Sequence, residues 1–202
     1  MSQPLLVVDK VSHNVLKDLD LEAGPASIVT LTGHSGSGKS TLCHLIAGLE
    51  TPAKGTVTLA GKPTTAVTDW ARIAVVPQRL ALLGRLTARE NLTLPALSAG
   101  HAVDLRMVDD LLKTLGVGQL ADRLAENGSI GEQQRIAVAR ALLPDAELVV
   151  LDEPTAHQDD ENAQRVIGAI LQKAEAGALV IISTHDPRLL ERADATLALG
   201  SS

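Results

Sequence analysis

Phenylalanine and tyrosine are absent from this chain of 202 residues, and Trp70 is its only aromatic residue. Proteins that hold single-stranded nucleic acid stack bases on several aromatic rings, so that class of function has no platform here. Positive charge is also scarce: 18 basic against 24 acidic residues leave a net charge of -6. Nothing global draws nucleic acid or anionic lipid, nucleic acid is not expected as a partner, and any phosphate site must be local. A single cysteine, Cys43, excludes an internal disulfide or a zinc cluster of several thiolates and fits a reducing compartment. Long apolar runs are missing as well. Stretches such as Leu148 to Leu151 and Ala178 to Ile182 fall far below the roughly 18 residues that cross a bilayer. The start, Met1-Ser2-Gln3-Pro4, lacks the basic and apolar segments of a secretory signal, so the expected location is the cytoplasm.

What remains is a globular composition, 45% hydrophobic and 21% charged, at a length suited to one domain. Leu5 to Val8, Ile28 to Thr32, Thr56 to Leu59, Ile73 to Val76, Leu148 to Leu151 and Leu179 to Ser183 are short apolar or β-branched runs of the kind that form buried strands. Between them lies helical spacing: Leu42, Leu45, Ile46 and Leu49 share one face, as do Val108, Leu111, Leu112 and Leu115, the second set bracketed by Asp104 as cap and Gly116 as stop. Strand and helix in alternation predict an α/β domain with a mostly parallel sheet. From about Arg79 to Leu143 the strand signals vanish. The expected organisation is therefore a core of residues 1–78 and 145–202 with an α-helical subdomain, 79–144, inserted in it.

Directly after the strand Ile28 to Thr32 comes Gly33-His34-Ser35-Gly36-Ser37-Gly38-Lys39-Ser40-Thr41 and then an amphipathic helix. This is G-x-x-x-x-G-K-[ST] in a strand-loop-helix setting, which predicts a P-loop NTPase core of the RecA-like type. Glycines let backbone N–H groups converge on phosphate oxygens, the helix start adds partial positive charge, and Lys39 can reach the β and γ phosphates. Ser40 is the expected magnesium ligand. A glycine-rich turn without function is the plainer alternative, and the flanking strand and helix argue against it.

Leu148-Val149-Val150-Leu151-Asp152-Glu153 is four apolar residues of a buried strand ending in two acids. At the carboxyl end of a parallel strand these acids would lie beside the phosphate loop, where Asp152 can hold magnesium through water and Glu153 can orient or deprotonate the attacking water. Standing alone, the pair could equally begin a surface loop before Pro154.

In these motifs and their order the chain resembles the ATP-binding-cassette ATPases over essentially all its length. The resemblance implies ATP and Mg2+ as ligands and further site residues. Gln78, after the strand Ile73 to Val76 and Pro77, looks like the family's glutamine loop and implies contact with magnesium and the attacking water. His185 in Ser183-Thr184-His185-Asp186 looks like the switch histidine that contacts the γ-phosphate. Outside this order a lone glutamine reads as a solvated loop residue and a lone histidine as structural.

The family signature, Leu-Ser-Gly-Gly followed by Gln or Glu, falls on Gly128-Ser129-Ile130-Gly131-Glu132. Ser129 and Gly131 keep the residues that meet a γ-phosphate presented by a second subunit, at the head of a helix expected over 131–143. Gly128 replaces the leucine and Ile130 the first glycine, and a β-branched residue resists φ > 0. Near the amino end, where the family stacks adenine on an aromatic ring, this chain offers only His13. After Glu153, Pro154-Thr155-Ala156-His157-Gln158-Asp159 keeps the acid of the dimer-contact loop, so Asp159 is expected to face a partner, while Gln158 stands in for the usual leucine.

Leu86-Thr87-Ala88-Arg89-Glu90-Asn91-Leu92-Thr93-Leu94-Pro95 is similar to the segment found in lipoprotein-releasing, macrolide-efflux and cell-division cassettes. That resemblance implies an ATP-hydrolysing subunit on the cytoplasmic face of the inner membrane, paired with a second cassette in a homodimer or heterodimer and docked on an integral membrane transport subunit. Leu80, Leu82 and Leu83 are candidate docking contacts or, equally, core of the helical lobe. Two other classes stay open: a soluble assembly factor of the carbon-phosphorus lyase accessory type, and a nucleotide-binding regulator that hydrolyses weakly.

Overall fold

A computed structural model describes residues 4–67 and 72–200; Trp70 lies outside the described residues. The chain opens with a hairpin, β1 (Leu6–His13) and β2 (Leu16–Ala23), followed by β3 (Ser27–Thr32) and α1 (Lys39–Ile46). A second pair, β4 (Lys54–Leu59) and β5 (Lys62–Pro63), precedes β6 (Ile73–Val76). Three helices come next, α2 (Ala88–Ser98), α3 (Leu105–Thr114) and α4 (Ile130–Leu142). Strand and helix then alternate through β7 (Leu148–Asp152), α5 (Asp160–Glu175), β8 (Leu179–Ser183), α6 (Pro187–Leu190) and β9 (Ala195–Ala198).

The central sheet has the order β6-β7-β8-β3-β9, and every pairing in it is parallel. All five residues of β7 and of β8 are buried, which is why both read as unbroken apolar runs. Their side chains alternate between two cores. Val149, Leu151, Val180 and Ile182 pack with α4, α5 and the helical segment, whereas Leu148, Val150, Leu179 and Ile181 pack with α1 and the amino-terminal strands. The second sheet, β2-β1-β4-β5, is antiparallel and adds a layer that the expectation of one mostly parallel sheet did not contain.

β2, β5 and β9 have weak sequence signals for physical reasons. Bulges shift the β1–β2 register between Val8 and Val11 and again before His13, and Asp18 has a φ of 46°, so the alternation of β2 is broken. β5 is two residues long and contains Pro63, and β9 offers Leu197 as its only large apolar residue. Between β6 and β7 the described elements are helical, apart from an isolated bridge between Thr87 and Leu124. Asp104 caps α3 by accepting from the Arg106 N–H at 2.9 Å, and Gly116 follows with a φ of 69°, both as expected. α1 stops at Ile46, which leaves Leu49 beyond the helix and exposed.

Candidate active site

The loop between β3 and α1 is shaped by glycines. Gly33 has a φ of 144°, and a Cβ there would come within 2.5 Å of the Leu199 carbonyl oxygen. Gly38 has a φ of 100°, and a Cβ would meet Leu16 Cδ2 at 2.6 Å, so a side chain here would strain the backbone and push against the β1–β2 hairpin that closes over the loop. No side chain caps α1, and its first turn carries no acid, so the leading N–H groups of the helix have no side-chain acceptor. Lys39 arches back over the loop, its Nζ donating to the Gly33 carbonyl at 2.7 Å and the His34 carbonyl at 3.3 Å. A cluster of free N–H donors with an ammonium beside it is a site for an anion of several oxygens.

Other predicted residues reach the same place because neighbouring parallel strands end together. β3 delivers the loop, β6 delivers Gln78, β7 delivers Asp152 and Glu153, and β8 delivers His185, and adjacent strands lie about 4.8 Å apart. Ser35, Gly36, Gly38, Lys39, Ser40 and Thr41 line one side of a cleft of about 370 Å³, and Gln78, Asp152, Glu153 and His185 line the other. Gly33, His34 and Ser37 shape the loop from behind; the His34 ring turns back to the Ser35 carbonyl at 2.8 Å, and Ser37 is buried.

Glu153 sits in a left-handed backbone at φ 51°, with its N–H donating to the Ser183 carbonyl at 2.8 Å and its own carbonyl accepting from Gln134 Nε2 at 3.3 Å. Burial pushes its carboxyl above the usual glutamate range; His185 opposes that shift and Asp152 adds to it. The His185 Nε2 lies 3.8 Å from Glu153 Oε1, with the imidazole side chain 61% exposed. A half-buried acid of raised proton affinity at the rim of a cleft suits proton transfer with water.

Ser40, Gln78 and Asp152 offer only oxygen donors, which suits a hard cation such as Mg2+. Asp152 is 3% exposed and its Oδ2 is buried without a hydrogen-bond partner, a costly state unless a cation faces it. Among the described residues no group of three or more His, Cys, Asp or Glu is placed to hold a metal ion.

The second group of predicted residues lies elsewhere. Ser129 caps α4: its Oγ donates to Glu132 Oε2 at 2.8 Å and accepts from the Glu132 N–H at 3.3 Å, while the Ser129 N–H also donates to that carboxylate at 2.8 Å. Those bonds hold the Glu132 carboxyl below its ordinary range. α4 starts one residue earlier than expected, at Ile130, which takes an ordinary helical backbone and is 64% exposed. The left-handed strain anticipated there does not arise. Asp159 is exposed but caps α5, accepting from the Asn162 N–H at 2.8 Å and from Asn162 Nδ2 at 3.0 Å. Ser129, Gly131 and Asp159 do not line the cleft of their own subunit.

His13 lies apart from the cleft residues. Its Nε2 lies 3.2 Å from Glu50 Oε2, while His44 Nδ1 meets the other oxygen of that carboxylate at 2.9 Å, and the His13 ring does not line the cleft. Asn14 and Val15, at the tip of the hairpin, line it instead. Neither residue stands out in the sequence; Asn14 carries a turn signal, with a φ of 50°, but its position above the loop depends on the hairpin folding across Gly38. Ser183 also lines the cleft, its hydroxyl buried without a partner.

A glycine-rich loop between a parallel strand and a helix, with two acids at the end of a neighbouring strand, defines a P-loop nucleotide-binding domain. The family model described as ABC transporter matches residues 16–156, and the chain belongs to the ABC transporter family. The lipoprotein-releasing system ATP-binding protein LolD of Gluconobacter oxydans is 38% identical over 92% of this chain and 84% of its own length. The macrolide export ATP-binding/permease protein MacB 1 of Aeromonas hydrophila is 34% identical over 98% of this chain, which spans only 34% of that protein. Among solved structures, the ATP-binding cassette MJ0796, in a dimeric post-hydrolysis state bound to ADP and Pi, matches with a TM-score of 0.86 and 26% identity, covering 96% of this chain and 94% of its own.

Proposed function

We propose that this chain is the ATP-binding and ATP-hydrolysing subunit of an ABC transporter, which energises a separate integral membrane protein by pairing with a second cassette subunit around ATP. One observation carries the reading: four adjacent strand ends bring an open, uncapped helix start, a lysine, two acids, a glutamine and a histidine to one cleft. The backbone N–H groups of the loop and Lys39 hold the triphosphate. Glu153 takes a proton from the attacking water, and His185 and Gln78 orient the reacting end. Ser40, Gln78 and Asp152 would hold Mg2+, which neutralises phosphate charge when bound.

Ser129 and Gly131 serve the γ-phosphate of the second subunit's ATP, and Asp159 faces that subunit. ATP bridges the pair, and hydrolysis removes the bridge, so binding energy becomes movement of the helical subdomain, 79–144, against the core of 1–78 and 145–202. No helix among the described residues is long and apolar enough to cross a membrane. The chain works on the cytoplasmic face of the inner membrane.

The partner docks in a groove of about 390 Å³ beside the glutamine loop, where Leu49, Pro77, Ala81 and Leu94 form apolar walls. Of the three candidate leucines, Leu80 and Leu82 pack against the helical core and Leu83 is 50% exposed, and none of them lines this groove. Lys39→Ala tests the central claim: magnesium-dependent ATP turnover of the purified chain falls about a hundredfold or more. Turnover retained in that variant sinks the reading.

A further inference from the structure

Gln158 replaces the leucine that the family resemblance implies, and its amide is fully engaged. Nε2 donates to the Gly131 carbonyl at 3.0 Å and to the Ala156 carbonyl at 3.2 Å, while Oε1 accepts from Arg135 Nη1 at 2.5 Å. A leucine can make none of these bonds. Arg135 is 7% exposed and its Nε is buried without a partner, so the Gln158 oxygen is the acceptor that makes burial of this guanidinium tolerable, with Glu132 and Asp159 supplying opposite charge nearby. The join is steric as well as polar. A Cβ on Gly131 would stand 2.7 Å from the His157 carbonyl oxygen, so the loop after Glu153 lies directly on the start of α4.

That loop has Glu153 at one end, in the cleft, and Gln158 at the other, on the segment Ser129–Gly131. Both Glu153 and His157 hold left-handed backbones, at φ 51° and 61°, which persist only where surrounding contacts fix them. We infer that Gln158 is a positioning residue: it fastens the Ser129–Gly131 segment to the Glu153 loop and so presents that segment to the second subunit's nucleotide in one geometry. The inference rests on the proposed pairing. Without the clasp the segment must be ordered during pairing, and that cost falls on the dimer and leaves each subunit's own cleft untouched, since Gln158 does not line it.

The test compares Glu153→Gln with Glu153→Gln/Gln158→Leu. Dimerisation is followed by light scattering during an ATP titration, and binding of ADP with magnesium to each unpaired subunit is followed by calorimetry. The expected result is about a tenfold rise in the ATP concentration that half-saturates dimerisation, with ADP affinity unchanged. If the leucine variant aggregates, Gln158→Glu makes the same comparison, because it keeps an acceptor for Arg135 and loses the donor to Gly131. Dimerisation at the Glu153→Gln concentration, or a parallel loss of ADP affinity, overturns the positioning role. Failure of Glu153→Gln itself to dimerise overturns the pairing reading and the inference with it.

Discussion

The starts of α1 and α4 are both read as phosphate-facing, yet they are built in opposite ways. α1 begins at Gly38 with no side-chain cap and no acid in its first turn. α4 begins at Ser129 inside a complete capping box with Glu132. Every other α-helix among the described residues is likewise capped by a side chain, from Thr87, Asp104, Asp159 or Asp186. The contrast separates a site that is open within one subunit from one that is satisfied by its own chain. At α1 the donors are kept free by a backbone that only glycine adopts, at some cost in stability. At α4 the Ser129 N–H and hydroxyl and the Glu132 N–H are engaged within the box, so a phosphate from outside would have to displace the Glu132 carboxylate before Ser129 could serve it.

Closing the open site should strike both stability and binding. Gly38→Ala places a Cβ 2.6 Å from Leu16 at a φ of 100°. It should cost about 1–3 kcal/mol in chemical denaturation and weaken ADP binding by more than tenfold in calorimetry. An alanine variant that binds ADP as the parent does would show that the open helix start is not the phosphate site.

Glu153→Gln separates chemistry from stability. Turnover should fall by about two to three orders of magnitude. The folded chain holds a proton on Glu153 more tightly than the unfolded chain does, so stability falls as pH rises from the ordinary glutamate value through the folded one. At pH 7 the ionised carboxylate is therefore a net cost, and the glutamine variant should have the higher Tm; a lower Tm contradicts the burial argument.

The closed site should respond least. Ser129→Ala loses the cap and about 1 kcal/mol of stability without altering ADP affinity of the unpaired subunit. Its neighbour reports the same box through pH. Because the Glu132 carboxyl is held below its ordinary value, its stabilisation is present above that value and is lost as pH falls through the folded one. Denaturation curves taken over a falling pH series from pH 7 should show Glu132→Gln less stable than the parent at pH 7, with the difference shrinking as the pH falls below the ordinary glutamate value.

The phosphate loop, the acids ending β7 and the alternation of strands and helices are legible in the residues because each is a local pattern: periodicity, glycine spacing, and charge at the end of an apolar run. β2 is not, since a bulged edge strand breaks its own alternation, and Val15 is not, since nothing in a lone valine foretells that a hairpin will lay it over Gly38. His13 shows the reverse: a ring in the right part of the chain is claimed by Glu50, a partner 37 positions away.

Local patterns thus marked the phosphate loop and the acids ending β7 as candidates to bind a phosphate or move a proton, and the family order added Gln78 and His185. Three-dimensional packing decided which of them meet. Parallel pairing put Gln78, Glu153 and His185 around one cleft although more than a hundred positions separate the first from the last, and helix capping turned Ser129 inward to its own chain. The reason is physical: propensity and spacing act over a few residues, whereas strand register, steric closeness and competition for hydrogen-bond partners exist only once distant segments are in contact.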